Sequence, residues 1–133
     1  FFRAQLYSTM ATLKIGMDIL AAEGVAIDSL TGHGGLFKTP LVGQKYLAAA
    51  CSAPVTCMDT AGEGGPYGMA LLAAYRVWKS DGETLEDYLN KHVFAGVSGS
   101  PVEPDGETVD GFNAYMERYQ ALLHVECKAV EVL

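Results

Sequence analysis

The first segment of the chain has apolar residues at intervals of four and three positions: Leu6, Met10, Leu13, Met17 and Leu20. Such intervals place side chains on one face of a helix. Gly24 follows this segment, and glycine suits the left-handed position just beyond a helix end. The pattern therefore predicts a first helix that ends close to Gly24.

Two short β-prone runs follow, and each leads into a glycine-rich turn. The first predicted strand spans 25–31 and enters TGHGG; the second spans 54–58 and enters GEGG at 62–65. A helix is predicted after each turn. The first covers 41–51, with Thr39 as its N-cap and Pro40 as its first residue, and the second covers 67–79, with Pro66 at its start. The order strand, glycine turn, helix is thus predicted twice.

The remaining segments predict two more helices. Residues 84–87, TLED, resemble a capping box before a short helix, residues 95–107 are rich in glycine and proline and predict a loop, and residues 109–130 have near-helical apolar spacing. Alternating helices and short strands favour an α/β architecture, with a short sheet flanked by helices. Two strands are too few for a full sheet, so we expect the rest of the sheet in a longer protein.

Composition narrows the class of protein. A chain of 133 residues that is 50% hydrophobic suits one domain, 1–133. It starts without methionine and already within a helical pattern, so we interpret it as a fragment. No apolar run reaches the roughly 18 residues of a membrane span, and no signal peptide is recognisable, so we expect a cytoplasmic protein with no membrane partner. A net charge of -7 with scattered lysines and arginines argues against nucleic acid.

Metal and catalytic motifs are not recognisable. The three cysteines fit no CxxC spacing and the three histidines no HExxH spacing, so no metal site is predicted. Asp18, Asp28, Asp59 and Asp81 have no paired acid and are interpreted as surface charges. We nominate no catalytic residue.

The glycine turn TGHGG could still bind an anion. Phe37 occupies the position where a GxGxxG fingerprint starting at Gly32 needs glycine, and also the position where a Walker A loop needs glycine before Lys-Thr. What remains is bare backbone leading into a helix N-terminus, where a nucleotide phosphate is favoured. The second turn would supply another wall of the same pocket. The alternative is that both turns serve only the path of the chain.

Four segments together resemble the C-terminal domain of the FGGY carbohydrate kinases: TLKIGMDIL, TGHGGLFKTPLVGQ, GEGGPYGMALLAAY and YMERYQALL. This family belongs to the actin-like ATPase superfamily, so the resemblance implies part of an actin-like, ribonuclease H-like C-terminal domain. GGLFKTP is most similar in style to ribulokinases, and xylulokinases are the next neighbour.

The resemblance also implies roles for particular residues. Gly34 and Gly35 would approach ADP, and Thr39 would lie beside the base or the ribose. Gly68 would let the second helix pack close to the pocket. The sequence departs from the family pattern at His33, at Thr39 in place of serine or asparagine, and in the additional glycines before Pro66.

As a function, the resemblance implies the nucleotide-binding part of an ATP-dependent sugar kinase that uses Mg²⁺. The expected substrate is a ketopentose such as L-ribulose or D-xylulose, bound mainly by a missing N-terminal domain that also carries the catalytic base. The fragment alone would be inactive, and its exposed apolar surface would favour self-association. Two alternatives remain open: a non-catalytic actin-like nucleotide sensor, and an interaction domain that binds no ligand.

Overall fold

The computed structural model describes residues 1–59, 61–96 and 99–132, with no account of the Ala61 side chain. Five α-helices are described: α1 (Phe2–Ala22), α2 (Val42–Cys51), α3 (Gly64–Trp78), α4 (Leu85–Tyr88) and α5 (Gly106–Val132). Two strands, β1 (Leu30–Gly32) and β2 (Val55–Cys57), form a parallel pair. One 3₁₀ helix (Gly35–Lys38) follows β1, another (Ala61–Glu63) leads into α3, and α4 continues as a π-helix (Leu89–Val93).

The core lies where α1, α2 and α5 meet against β2. Phe112 of α5 and Val55 of β2 are fully buried, and Tyr7 of α1 is 4% exposed. The Tyr7 ring centroid lies 5.3 Å from that of Phe112 and 5.6 Å from that of Tyr46 on α2, both in edge-to-face geometry. Such pairs contribute packing energy beyond area burial, so Tyr7 joins the three helices at one point.

The helix ends agree in part with the sequence. Gly24 has a φ of 78° just beyond α1, and the Thr84 hydroxyl accepts a hydrogen bond from the Asp87 backbone N–H at 3.1 Å, both as predicted. Asp105 caps α5 by accepting from the Thr108 backbone N–H at 3.0 Å, which the sequence analysis missed. These contacts satisfy N–H and C=O groups that helix ends leave open.

Two predicted helix starts are wrong. Thr39 does not cap α2, because the 3₁₀ helix occupies Gly35–Lys38 and Thr39 only ends it. The chain then turns at Leu41, which is left-handed with a φ of 65°, and α2 begins at Val42, beyond Pro40. Pro66 is not the first residue of α3 but the third. Proline is tolerated there because first-turn N–H groups have no partner within the helix.

The first strand is shorter than predicted. Only Leu30–Gly32 pairs, with Leu30 opposite Val55 and Gly32 opposite Cys57, because β2 itself has only three residues. On the other side of β2, Val55 forms an isolated antiparallel bridge with Val102, in the segment predicted as a loop. The Gln44 side-chain amide donates to the Val55 carbonyl at 3.0 Å and so anchors α2 to the strand.

Helix α3 has few contacts with this core. None of its residues is buried, and its large apolar side chains Met69, Leu72, Val77 and Trp78 are all more than half exposed. In the part of the chain that the structure describes, no helix is long and apolar enough to cross a membrane.

Candidate functional site

The two glycine turns meet beyond the same edge of the parallel strand pair. The carboxyl ends of parallel strands lie together, so the segments that follow β1 and β2 become neighbours. Lys38 Nζ, at the end of the 3₁₀ helix that follows the first turn, lies 2.6 Å from Glu63 Oε1 in the second turn. The Lys38 stem covers Gly62, where a Cβ atom would lie 2.9 Å from Lys38 Cε. An ion pair and a close approach at glycine therefore hold the turns together.

His33 of the first turn packs against Gly64 of the second. A Cβ atom at Gly64 would lie only 2.8 Å from His33 Cβ, a distance that real Cβ atoms do not show. The absence of a side chain at the start of α3 therefore lets this helix approach the first turn.

A cavity of about 370 Å³ opens at this junction. Its described lining comes from the first turn, the end of β2, α3 and the π-helix segment: His33, Met58, Gly64, Tyr67, Gly68, Leu71 and Phe94. Mostly apolar walls with a few polar groups are typical of small-molecule sites, and the volume is in their range of roughly 300 to 1,000 Å³.

Gly34 and Gly35 directly follow the lining residue His33 in the sequence. Gly34 has a φ of 106°, which disfavours any side chain, and its carbonyl accepts from the Phe37 backbone N–H at 3.0 Å. At Gly35 a Cβ atom would meet nothing within 4 Å, so its backbone is open to an approaching molecule. Thr39 is exposed. The described lining of the cavity includes none of these three residues, whereas it includes Gly68, the expected second wall.

Phe37 occupies the position where both phosphate-loop motifs need glycine, and its ring has a packing role there. Its ring fills the space between Gly32 and Gly43: a Cβ at Gly32 would lie 2.2 Å from Phe37 Cε1, and one at Gly43 would lie 2.9 Å from Phe37 Cδ1. The ring thus packs the first turn onto α2, where a phosphate loop would leave bare backbone.

Four lining residues were missed by the sequence analysis: Met58, Tyr67, Leu71 and Phe94. Met58 and Tyr67 flank the second glycine turn, so their nearness to it was a usable signal. Phe94 follows the π-helix, and no local pattern shows that this segment returns to the turns. Only the three-dimensional path of the chain brings Phe94 to the cavity.

The electrostatics of the junction favour a charged pair. A hydrogen bond and the positive charge of Lys38 hold the pKa of the exposed Glu63 carboxyl below its ordinary value. The Glu63 carboxyl is therefore ionised at neutral pH. Among the described residues, no group of three or more His, Cys, Asp or Glu side chains could hold a metal ion.

Comparison with known families gives one match. The model of the FGGY family of carbohydrate kinases, C-terminal domain, matches residues 1–77, which is more than half of the chain. The matched segment extends from the start of α1 almost to the end of α3 and contains both glycine turns. Neither the curated proteins nor the solved structures gave a significant match.

Proposed function

Because the chain belongs to the FGGY family of carbohydrate kinases, we propose that its two glycine turns form the nucleotide-binding part of such an enzyme. Members of this family are ATP-dependent sugar kinases with an actin-like ATPase type of fold. The helix-rich chain with its two-stranded parallel sheet is consistent with part of that domain. The family match supports a sugar kinase over a non-catalytic sensor.

The observation that supports the nucleotide site is the cavity between the turns. We propose that the adenine base enters it and contacts the aromatic rings of Tyr67 and Phe94, with Gly68 leaving room beside them. The open backbone at Gly34 and Gly35 would then face the ribose and the diphosphate. Thr39, exposed and outside the described lining, would reach the ribose rather than the base.

The chain would contribute positioning rather than bond making. Phosphoryl transfer depends on holding the γ-phosphate in line and stabilising its charge, and Mg²⁺ would supply positive charge for this. We propose that this ion arrives with the nucleotide, because Mg²⁺ is usually held by one or two carboxylates together with substrate phosphates. The residue that accepts the proton of the sugar hydroxyl would lie in another domain.

The proposed substrate is a ketopentose such as L-ribulose or D-xylulose, and the proposed location is the cytoplasm. The support for the substrate is the resemblance of GGLFKTP to the corresponding loop of ribulokinases and xylulokinases. We further propose that the 133 residues alone do not phosphorylate sugar. Measurable turnover of either sugar by the purified chain would contradict this.

The test is a calorimetric titration of the chain with Mg-ADP. Gly35→Leu is the informative variant, since a Cβ atom there meets no protein atom within 4 Å and its φ is not left-handed, whereas any replacement of Gly34 strains the backbone. Gly16→Leu, in the middle of α1 and also without neighbours, is the matched control.

We expect saturable binding by the parent and the Gly16 control, and clearly weaker binding by Gly35→Leu. If Gly35→Leu binds Mg-ADP as tightly as the parent, the first turn is not part of the nucleotide site. No binding by the parent chain would favour the alternative in which the turns bind no ligand.

A further inference from the structure

A second cavity, of about 310 Å³, lies between α1 and α5. It shares no described lining residue with the cavity at the glycine turns. Its polar lining consists of Arg3 and Tyr7 from α1 and Tyr115 and Arg118 from α5, with Gly111 beside them.

The helical spacing explains why these side chains face one another. Arg3 and Tyr7 are four residues apart on α1; Gly111, Tyr115 and Arg118 follow at intervals of four and three on α5. Each set therefore lies on one face of its helix. The ring centroids of Tyr7 and Tyr115 are 5.5 Å apart, so the two faces are in contact.

Gly111 makes room for the buried hydroxyl in this cavity. A Cβ atom there would lie 2.8 Å from the Tyr7 hydroxyl oxygen. That hydroxyl donates to the Thr108 carbonyl over 3.4 Å, which is long for an O–H···O bond, although Tyr7 is only 4% exposed. A stronger acceptor in the cavity would offer this proton a better partner.

The two guanidinium groups are available for a ligand. Within the described part of the chain, neither Arg3 nor Arg118 forms an ion pair with a carboxylate. Asp105 interacts electrostatically with Tyr7. However, its carboxylate already binds Lys45 Nζ at 3.3 Å and the Thr108 backbone N–H at 3.0 Å, not either arginine. Two uncompensated positive charges at one cavity are unexpected in a chain of net charge -7.

We propose that this cavity binds a phosphate group, free or esterified to a small molecule, between Arg3 and Arg118. Guanidinium groups match phosphate oxygens through paired N–H donors, and two of them favour a dianion over a carboxylate. The first turn of α1, which lines the cavity, contains no acidic residue that would oppose an anion. The site does not depend on the nucleotide site, since it involves other residues on other elements.

The test uses calorimetric titration at low ionic strength with inorganic phosphate, ribose 5-phosphate and ribose. Three variants are compared with the parent: Arg3→Gln, Arg118→Gln and Arg76→Gln. Arg76 lies on α3 outside the described lining, is exposed, and has no ion pair with a described residue, so its variant removes the same charge elsewhere. Circular dichroism establishes that each variant keeps its helices.

We expect phosphate to bind the parent and Arg76→Gln alike, and at least about tenfold more weakly to Arg3→Gln and Arg118→Gln, which is the effect of about 1.4 kcal/mol. Arg118→Lys keeps the charge without the paired donors, so an intermediate affinity is expected. Tighter binding of ribose 5-phosphate than of phosphate would identify a small phosphate ester as the ligand; equal affinities would identify the phosphate group alone.

Three results would overturn the proposal: no binding of phosphate or ribose 5-phosphate by the parent, unchanged affinity in Arg118→Gln, or an equal loss in Arg76→Gln. Equal affinities for ribose and ribose 5-phosphate would also overturn the proposal. Because ADP is not a probe in this experiment, its outcome is separate from that of the nucleotide titration.

Discussion

Placing a side chain in the cavity at the glycine turns should weaken base recognition without unfolding the chain. Gly68 on α3 lines this cavity, and a Cβ atom there would meet no protein atom within 4 Å. A leucine at this position would therefore occupy the space proposed for the base. Glycine inside a helix costs about 1 kcal/mol relative to alanine, so Gly68→Leu should also strengthen α3.

The size of the effect follows from what the base would lose. A ligand of moderate size gains about 0.3 kcal/mol per non-hydrogen atom, so a base of about ten such atoms contributes about 3 kcal/mol. Complete exclusion would weaken ADP binding roughly a hundredfold. The cavity holds about 370 Å³, more than one leucine side chain fills, so we expect a loss between about tenfold and about a hundredfold.

The assay is calorimetry with Mg-ADP, and with inorganic pyrophosphate as a ligand that has no base. Gly16→Leu is the matched control: it also lies inside a helix, its Cβ would also meet nothing within 4 Å, and it lies on α1 outside the described lining. We expect Gly68→Leu to lose affinity for ADP but not for pyrophosphate, and Gly16→Leu to keep both. Parent-like ADP binding by Gly68→Leu, or equal losses in both variants, would refute this location of the base.

Three further predictions test the turns, the core and the surface. Lys38 lowers the pKa of Glu63, so any stabilisation from this ion pair is present above the unfolded-state pKa of Glu63 and is lost as pH falls through its lowered folded-state pKa. In Lys38→Met, the pKa of Glu63 measured by NMR titration of its carboxyl carbon should return towards the ordinary value. An unchanged titration curve would show that the ion pair does not form in solution. Phe112→Ala should cost about 3–5 kcal/mol in urea unfolding, because the ring is fully buried, and a loss under about 1 kcal/mol would contradict that packing. The chain should self-associate through exposed α3, so replacing Val77 and Trp78 with lysine should lower the mass measured by sedimentation equilibrium. A strictly monomeric parent at high concentration would exclude that association.

The sequence predicted the features that depend on neighbours along the chain. The presence of α1, the left-handed glycine after it, the Thr84 cap and the second strand are local, and the structure confirms them. The predicted apolar face of α1 is only partly buried: Met10 is buried, but Leu13 and Leu20 are 44% and 42% exposed. The length of β1 was overestimated because strand pairing depends on the partner, and β2 offers only three residues. The left-handed turn at Leu41 has no glycine or asparagine to indicate it.

The candidate sites were predicted less completely, because they depend on contacts between residues that are far apart in the sequence. Gly68 was expected at the second wall, but Phe94 reaches the cavity only through the π-helix after α4. Arg3 and Arg118 lie near opposite ends of the chain, and each resembles an ordinary surface charge. Only the packing of α1 against α5 brings them to one cavity, and no spacing rule contains that information.

The glycines of the two turns can be sorted by what each requires. Gly32 and Gly64 are explained by contact, because a Cβ atom would collide with Phe37 and His33, and Gly34 is explained by its positive φ. Gly35 and Gly68 have neither explanation: each has room for a side chain, and neither is left-handed. Glycine costs conformational entropy wherever folding does not need it. Open space at a glycine does not by itself indicate a ligand, since Gly16 in α1 and Gly65 have it as well. At Gly35 and Gly68 the proposed nucleotide would provide a reason for the missing side chain.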